Sequence, residues 1–273
     1  MLDSVAMFVV PWCAIMGLLY LTPLASYMDA TTSNLAIVFF ISAILLLQFL
    51  VVKRSNYSNV RTTQELHLRR KVQHAGTGAL IVVATFYGTS LEASVVLAIC
   101  ALTFYFVSFM RKQSKAVDAI YLQIFGPILR QHEVHHRLPG AFYFLTGSAL
   151  SFVVYPKFIA QLSVLHLSLG DPCASFFGIT LGQHSTRLWN GKTVAGVIGC
   201  FLVCLLSSVV FVTLAAHDAV KSFSVIKQML FMAATGVAGA IGEVVNVGCD
   251  DNLSMPLLSG LFSTIFYHAI LAL

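Results

Sequence analysis

The 273-residue chain is 58% hydrophobic and only 10% charged, with a mean hydropathy of +0.85, which excludes an ordinary soluble domain. Its net charge of +5 is carried by basic residues gathered in a few loops, a pattern that sets membrane orientation and attracts anions and shows no nucleic-acid signature. Six cysteines without a CxxC pair imply neither a disulfide framework nor a zinc knuckle.

In chain order, apolar segments close to the ~20 residues that cross a bilayer predict spans at residues 6–24, 35–52, 72–87, 93–110, 140–155, 157–169, 193–215, 229–247 and 256–273. The expected fold is an all-α, polytopic membrane protein of about nine helices. The first apolar run has Asp3 and no basic residues before it, so it is expected to be a span and not a cleaved signal. Residues 53–71 and 111–137 are basic and two spans apart, which puts both in the cytosol. Residues 116–129 carry apolar side chains at helical spacing, as an interfacial amphipathic helix does. Counting crossings then brings residues 53–71, 111–137, 170–192 and 243–254 to the cytosolic side, where the sequons at Asn56 and Asn252 stay unmodified. Residues 1–68 form an N-terminal hairpin with a basic loop, and residues 69–273 the membrane core.

The polar residues concentrate in those four segments. Residues 170–192 read GDPCASFFGITLGQHSTRLWNGK. Asp171 before Pro172 has the form of an N-cap and first helical residue, whose free N–H groups would attract phosphate. Ala174, Gly178 and Gly182 fall four apart and share a helical face, which suits either helix packing or a nucleotide. Lys192 closes the stretch with a positive charge.

Arg69, Arg70 and Lys71 begin a predicted helix at the end where its macrodipole disfavours cations. They either meet lipid headgroups or, as Arg70 and Lys71, hold phosphates. His74 follows and is expected to be a hydrogen-bonded packing residue. Near the C-terminus, Glu243, Asn246 and Asp250 have the spacing of one helical face, and a divalent cation shared with a triphosphate would satisfy the carboxylates. Asp251 and Asn252 before Pro256 could instead cap the last span. His132-Glu133-x-x-His136 formally matches the zinc hydrolase pattern, with His135 beside it. No third ligand follows in a recognisable pattern, so these residues fit better at a polar entrance. A transporter that uses Glu243 and Asp250 is a further class.

Together the motifs resemble those of the CTP-using membrane enzymes: fungal-type diacylglycerol kinase, dolichol kinase, phytol kinase and phosphatidate cytidylyltransferase. Arg70-Lys71-x-x-His74 is similar to the basic entry motif of the kinase branch. Glu133-x-His135, followed by Leu138-Pro139-Gly140-Ala141-Phe142-Tyr143-Phe144-Leu145-x-Gly147, resembles the segment before the central spans of the diacylglycerol kinases. Gly170-Asp171-x-x-Ala174-Ser175-x-x-Gly178-x-x-x-Gly182 and Gly191-Lys192-Thr193-x-x-Gly196 look like the shared nucleotide motif. Asp250-Asp251-Asn252-Leu253-x-x-Pro256-Leu257-x-Ser259-Gly260 resembles the closing motif of the diacylglycerol and phytol kinases. Two departures stand out. Ile179 occupies a place usually basic, leaving a phosphate contact to Arg187 or to none, and Pro172 is unusual beside the motif acid. The C-terminal signature of the cytidylyltransferases is absent.

The resemblance implies transfer of the terminal phosphate of CTP to a membrane lipid alcohol, foremost diacylglycerol, to give phosphatidate. Dolichol, another polyprenol or phytol is the alternative acceptor, and nucleotidyl transfer the alternative reaction. It also implies catalytic Asp171, Lys192, Arg70 and Lys71, and nucleotide contacts from Arg70, Lys71, Gly170, Ala174, Gly178, Gly182, Lys192 and Thr193. Magnesium or another divalent cation would sit at Asp171, Asp250 and Asp251. The implied location is the endoplasmic reticulum membrane or nuclear envelope, with the site facing the cytosol, and a homodimer is compatible with it.

Overall fold

The structure, a computed structural model, describes residues 67–126, 129–135, 138–245 and 247–273. The first two expected spans, most of the basic segment after them and the Asn56 sequon lie outside the described residues. Within them all regular elements are helical apart from an isolated antiparallel bridge between Arg187 and Thr193.

Helix α1 (Leu68–Thr85) begins with the three cations, as expected. Helix α2 (Ser90–Gln113) starts from a reciprocal capping box between Thr89 and Glu92 and ends with Arg111 and Lys112, charges that complement the macrodipole at both ends. Helix α3 (Lys115–Phe125) is the expected amphipathic element, with Tyr121 buried and Ile120 and Ile124 exposed. A short helix α4 (Gln131–Val134) follows. Buried Arg111 joins these pieces. Its Nε donates to Asp118 Oδ1 at 2.8 Å, its other nitrogens donate to the carbonyls of Glu133 and Val134 at 3.3 and 3.2 Å, and its guanidinium lies 4.2 Å from the Tyr121 ring centre. A desolvated cation held from so many sides fixes the α3–α4 segment against α2.

Helix α5 (Gly140–Val154) leads into the central element. There α6 (Lys157–Leu165), a π turn (His166–Gly170) and α7 (Asp171–Thr180) run on as one 24-residue helix. Its most apolar stretch is 72% buried, against at most 39% in the other long apolar helices, so the bundle is assembled around it. The expected break before Asp171 does not exist. Proline supplies no N–H and crowds the carbonyl four residues back. The π turn loosens the ladder just ahead of Pro172, while the Asp171 N–H still bonds the Leu167 carbonyl. Asp171 therefore has helical dihedrals and caps nothing, and no free amides are presented at this point.

A 3₁₀ turn (Gly182–His184) and a hairpin-like loop lead to α8 (Val194–Leu214), a short α9 (His217–Val220), α10 (Val225–Val244) and α11 (Asp251–Ala272). Among the described residues five helices are long and apolar enough to cross a membrane, and α5 is a shorter apolar one. Lipid-side surface is supplied by exposed residues such as Ile99, Leu102 and Phe106 on α2 and Leu202 and Leu206 on α8. Inside, small and hydroxylated residues let the helices approach. His166, fully buried in the π turn, bonds Ser259 of α11 at 2.6 Å and Ser208 of α8 at 3.0 Å. Pro256, inside α11, leaves the Asn252 carbonyl without its usual donor. Gly147 of α5 packs there so closely that a Cβ would lie 2.7 Å from that oxygen.

Candidate functional site: two cavities meeting at Asp171

Lys192 is delivered by the loop between α7 and α8. The Leu188 N–H bonds the Lys192 carbonyl at 2.7 Å, and the turn closes through Gly191, whose φ of +82° suits glycine. Asn190 pins this turn to the end of α10 by donating to the Val244 carbonyl at 2.7 Å, and its Oδ1 accepts from the Lys192 N–H at 3.0 Å. The ammonium then reaches Glu243 Oε1 at 3.0 Å and Asp251 Oδ2 at 3.1 Å, and also donates to the Glu243 carbonyl. Burial alone would lower its pKa, but Glu243 and Asp251 outweigh that and raise it, so Lys192 is charged at neutral pH.

These groups line a polar cavity of about 570 Å³ together with Asp171, Ser175, Arg187, Thr193 and the small residues Ala174, Gly178 and Gly182. The small residues also seat α7 on the start of α8. A Cβ at Gly196 would come within 2.7 Å of the Ala174 carbonyl oxygen, and one at Gly178 within 3.2 Å of Thr193 Oγ1. Gly182 lies beyond the end of α7, in the 3₁₀ turn. Thr193 caps α8, but its first amides are taken. Those of Val194, Ala195 and Gly196 bond Thr186, Ser185 and Thr193 respectively. Anions in this cavity therefore face the side-chain cations Lys192 and Arg187 and no spare helix-end donors.

A second cavity, of about 360 Å³, lies on the other side of Asp171. Phe104 of α2, Tyr121 and Phe125 of α3, and Phe144 and Leu145 of α5 form its apolar wall, and Arg70, Lys71 and His74 of α1 form its polar end. Asp171 acts electrostatically on both Arg70 and Lys71. His74 sets Nε2 3.8 Å from Asp171 Oδ2 and its ring edge against Phe144, and Nε2 has no hydrogen-bond partner among the described residues. Asp171 and Ser175 line both cavities. The sequence motifs thus converge, but Arg70 and Lys71 open on the apolar-walled side and Lys192 on the polar side.

Other expectations need correction. Gly170 lines neither cavity. It packs on α8, where a Cβ would lie 2.8 Å from Cys204 Sγ. Asp250, not Asp251, caps α11, accepting from the Asn252 N–H at 3.0 Å, and it pairs with Arg130 at 3.4 Å. Since α10 ends at Val244, Glu243 and Asp250 do not share a helical face. Asn246 lies outside the described residues. Asp171, Asp250 and Asp251 accordingly do not form a ligand cluster, and among the described residues no three His, Cys, Asp or Glu side chains stand close enough to hold a metal. Glu133, read from the sequence as part of a polar entrance and not as a zinc-site base, lines the second cavity, and its two carboxylate oxygens accept from the Gly140 and Arg130 N–H groups, each at 2.6 Å, which staples the loop ahead of α5. His135 is exposed, while His136 and the side chain of His132 lie outside the described residues. Asn252 is 5% exposed and donates to the Gly140 carbonyl.

The sequence pattern pointed Glu243 toward a divalent cation shared with a triphosphate, but not toward its pairing with Lys192. The available signal was an acid at the end of an apolar span, which needs a partner. The aromatic wall carried no such signal, because Phe104 and Tyr121 are ordinary residues of apolar helices until packing brings them together.

Among curated proteins the chain is similar to three fungal proteins, each named CTP-dependent diacylglycerol kinase 1. The one from Schizosaccharomyces pombe is 30% identical over 147 residues, 53% of this chain and 67% of that protein. The one from Eremothecium gossypii is 28% identical over 172 residues, 58% of this chain and 52% of that protein. The one from Saccharomyces cerevisiae is 25% identical over 207 residues, 71% of each chain. Neither a family model nor a solved structure matches the chain. At 30% identity the match to the S. pombe protein covers two thirds of that protein's length, and on that ground the chain belongs to the family of CTP-dependent diacylglycerol kinases.

Proposed function

We propose that the protein is a membrane lipid kinase that transfers the terminal phosphate of CTP to the hydroxyl of diacylglycerol and yields phosphatidate and CDP. One observation carries this reading: Asp171 and Ser175 belong at once to a polar, cation-bearing cavity and to an apolar, aromatic-walled one. A bilayer-bound alcohol and a water-borne triphosphate need such a meeting place. The triphosphate would lie against Lys192 and Arg187, and the acyl chains between α2, α3 and α5. Phosphoryl transfer requires alignment and neutralisation of charge above all.

In the step itself the lipid oxygen forms a bond to the γ-phosphorus as the bond from that phosphorus to the β,γ-bridging oxygen breaks. Asp171 orients the hydroxyl and takes its proton, CDP leaves, and Arg70 and Lys71 face the transferred phosphate from the acceptor side. The donor set fits a divalent cation, because Glu243 Oε2 is buried without a partner among the described residues in a cavity that Asp171 and Asp251 also line. Magnesium held there by Glu243 and Asp251 would neutralise phosphate charge. The site would face the cytosol, where CTP is found, and the endoplasmic reticulum membrane is the proposed location.

The test uses the purified full-length protein in lipid nanodiscs with CTP labelled at either the γ or the α phosphorus and a panel of lipid alcohols. Label from the γ position should appear in phosphatidate. Label from the α position on a lipid would show nucleotidyl transfer, and γ label confined to a polyprenol would make the protein a polyprenol kinase.

A further inference from the structure

Lys192 stands where a metal would be expected. Its ammonium bridges Glu243 Oε1 and Asp251 Oδ2 at 3.0 and 3.1 Å. Glu243 is 6% exposed, and its second oxygen, Oε2, is buried with no partner among the described residues although the residue lines the polar cavity. One side of a buried carboxylate is thus satisfied by an internal cation while the other is left unsatisfied, a costly arrangement unless a further ligand completes it. A single lysine is one compact charge facing two carboxyl groups, and one of their four oxygens, Glu243 Oε2, is left without a partner among the described residues.

We propose that Lys192 is an exchangeable counter-ion: with the nucleotide site empty it holds Glu243 and Asp251 apart from solvent cations, and when a metal-bound triphosphate enters it moves to a phosphate while the divalent cation takes its place between the two carboxylates. No covalent bond changes in this exchange: a dication takes the place of the lysine between the two carboxylates, and the single positive charge of the lysine moves to the incoming anion. The device keeps the acids from trapping free metal and couples cation binding to phosphate binding. It rests on the reading of the polar cavity as the triphosphate site.

The test measures Mn²⁺ binding to the purified full-length protein by the loss of the free-ion electron paramagnetic resonance signal, with no nucleotide present. Lys192→Gln should bind Mn²⁺ about tenfold more tightly than the unsubstituted protein, a change of ~1.4 kcal/mol, and adding Glu243→Gln or Asp251→Asn should abolish that gain. On the unsubstituted protein, Mg²⁺ together with CDP, but not Mg²⁺ alone, should change the rate of reductive methylation of Lys192, read by mass spectrometry. Equal Mn²⁺ affinity with and without the lysine, or methylation that Mg²⁺ with CDP leaves unmoved, would overturn the exchange. If γ-labelled transfer to lipid persists in either of those cases, the kinase reading stands without it; if the Mn²⁺ results hold and no transfer occurs, the cation site stands and the kinase reading falls.

Discussion

Asp171 is the residue on which the two halves of the proposed site depend, since it lines the wall of each cavity and lies 3.8 Å from a histidine nitrogen that has no hydrogen-bond partner among the described residues. Asp171→Asn keeps size and most hydrogen-bonding capacity and removes the charge and the base. Transfer of γ-label to lipid should therefore fall at least ~100-fold, with the protein still extracted from membranes in the same detergent fraction; full activity would exclude Asp171 from the reaction. On the proposed reading the cations divide the work by cavity. Lys192→Gln should raise the KM for CTP, whereas Arg70→Ala and Lys71→Ala, placed on the acceptor side, should lower kcat more than they raise that KM; initial-rate kinetics over a CTP series separate the two. Asp171 and Lys192 were legible in the sequence as an acid and a lysine flanking spaced glycines. That Asp171 caps no helix, against the reading of Asp171-Pro172 as a helix start, was not, because a π turn five residues long carries the helix straight past a proline. Likewise a cap displaced by one position exchanges the parts of Asp250 and Asp251, and spacing alone does not decide it.

At the scale of elements, the site depends on how closely α7 approaches the start of α8. Gly196 leaves no room for a methyl group, since the nearest atom to a Cβ would be the Ala174 carbonyl oxygen at 2.7 Å, a backbone atom that cannot rotate aside. Gly196→Ala should separate the helices at a cost of about 1–3 kcal/mol and also deform the polar cavity, so the temperature of half-inactivation in detergent should fall and the KM for CTP should rise together. Thr89→Ala is the comparison. It removes the capping box at the start of α2, worth about 1 kcal/mol, in a turn that lines neither cavity. That variant should lose thermal stability with its KM unchanged. Helix extents in the second half of the chain were largely readable from hydropathy, as at Gly140–Val154 and Val194–Leu214. The fusion of α6 with α7 was not, because the polar and small residues at 163–171 look like the end of a span until neighbouring helices bury them.

For the whole molecule, the proposed arrangement would separate the substrates by the medium that each comes from. The cavity proposed for the acceptor is walled by α2 and α3, elements that present apolar side chains such as Ile99, Phe106 and Ile120 outward, while the one proposed for the donor is closed by the polar loop at residues 181–193. Hydropathy identified a membrane protein and the charge pattern gathered its polar segments on one side, but neither could tell that a buried central helix would divide the active region in two. If lipid enters between α2 and α3, a diacylglycerol analogue with a photoreactive acyl chain should crosslink to peptides within Ser90–Gln113 and Lys115–Phe125, and a photoreactive CTP should label the loop containing Arg187 and Lys192. Excess unlabelled diacylglycerol should suppress only the first set and excess CTP only the second. Lipid label in the Lys192 loop, or mutual competition at one set of peptides, would mean that a single cavity serves both substrates and that the apolar one is packing space.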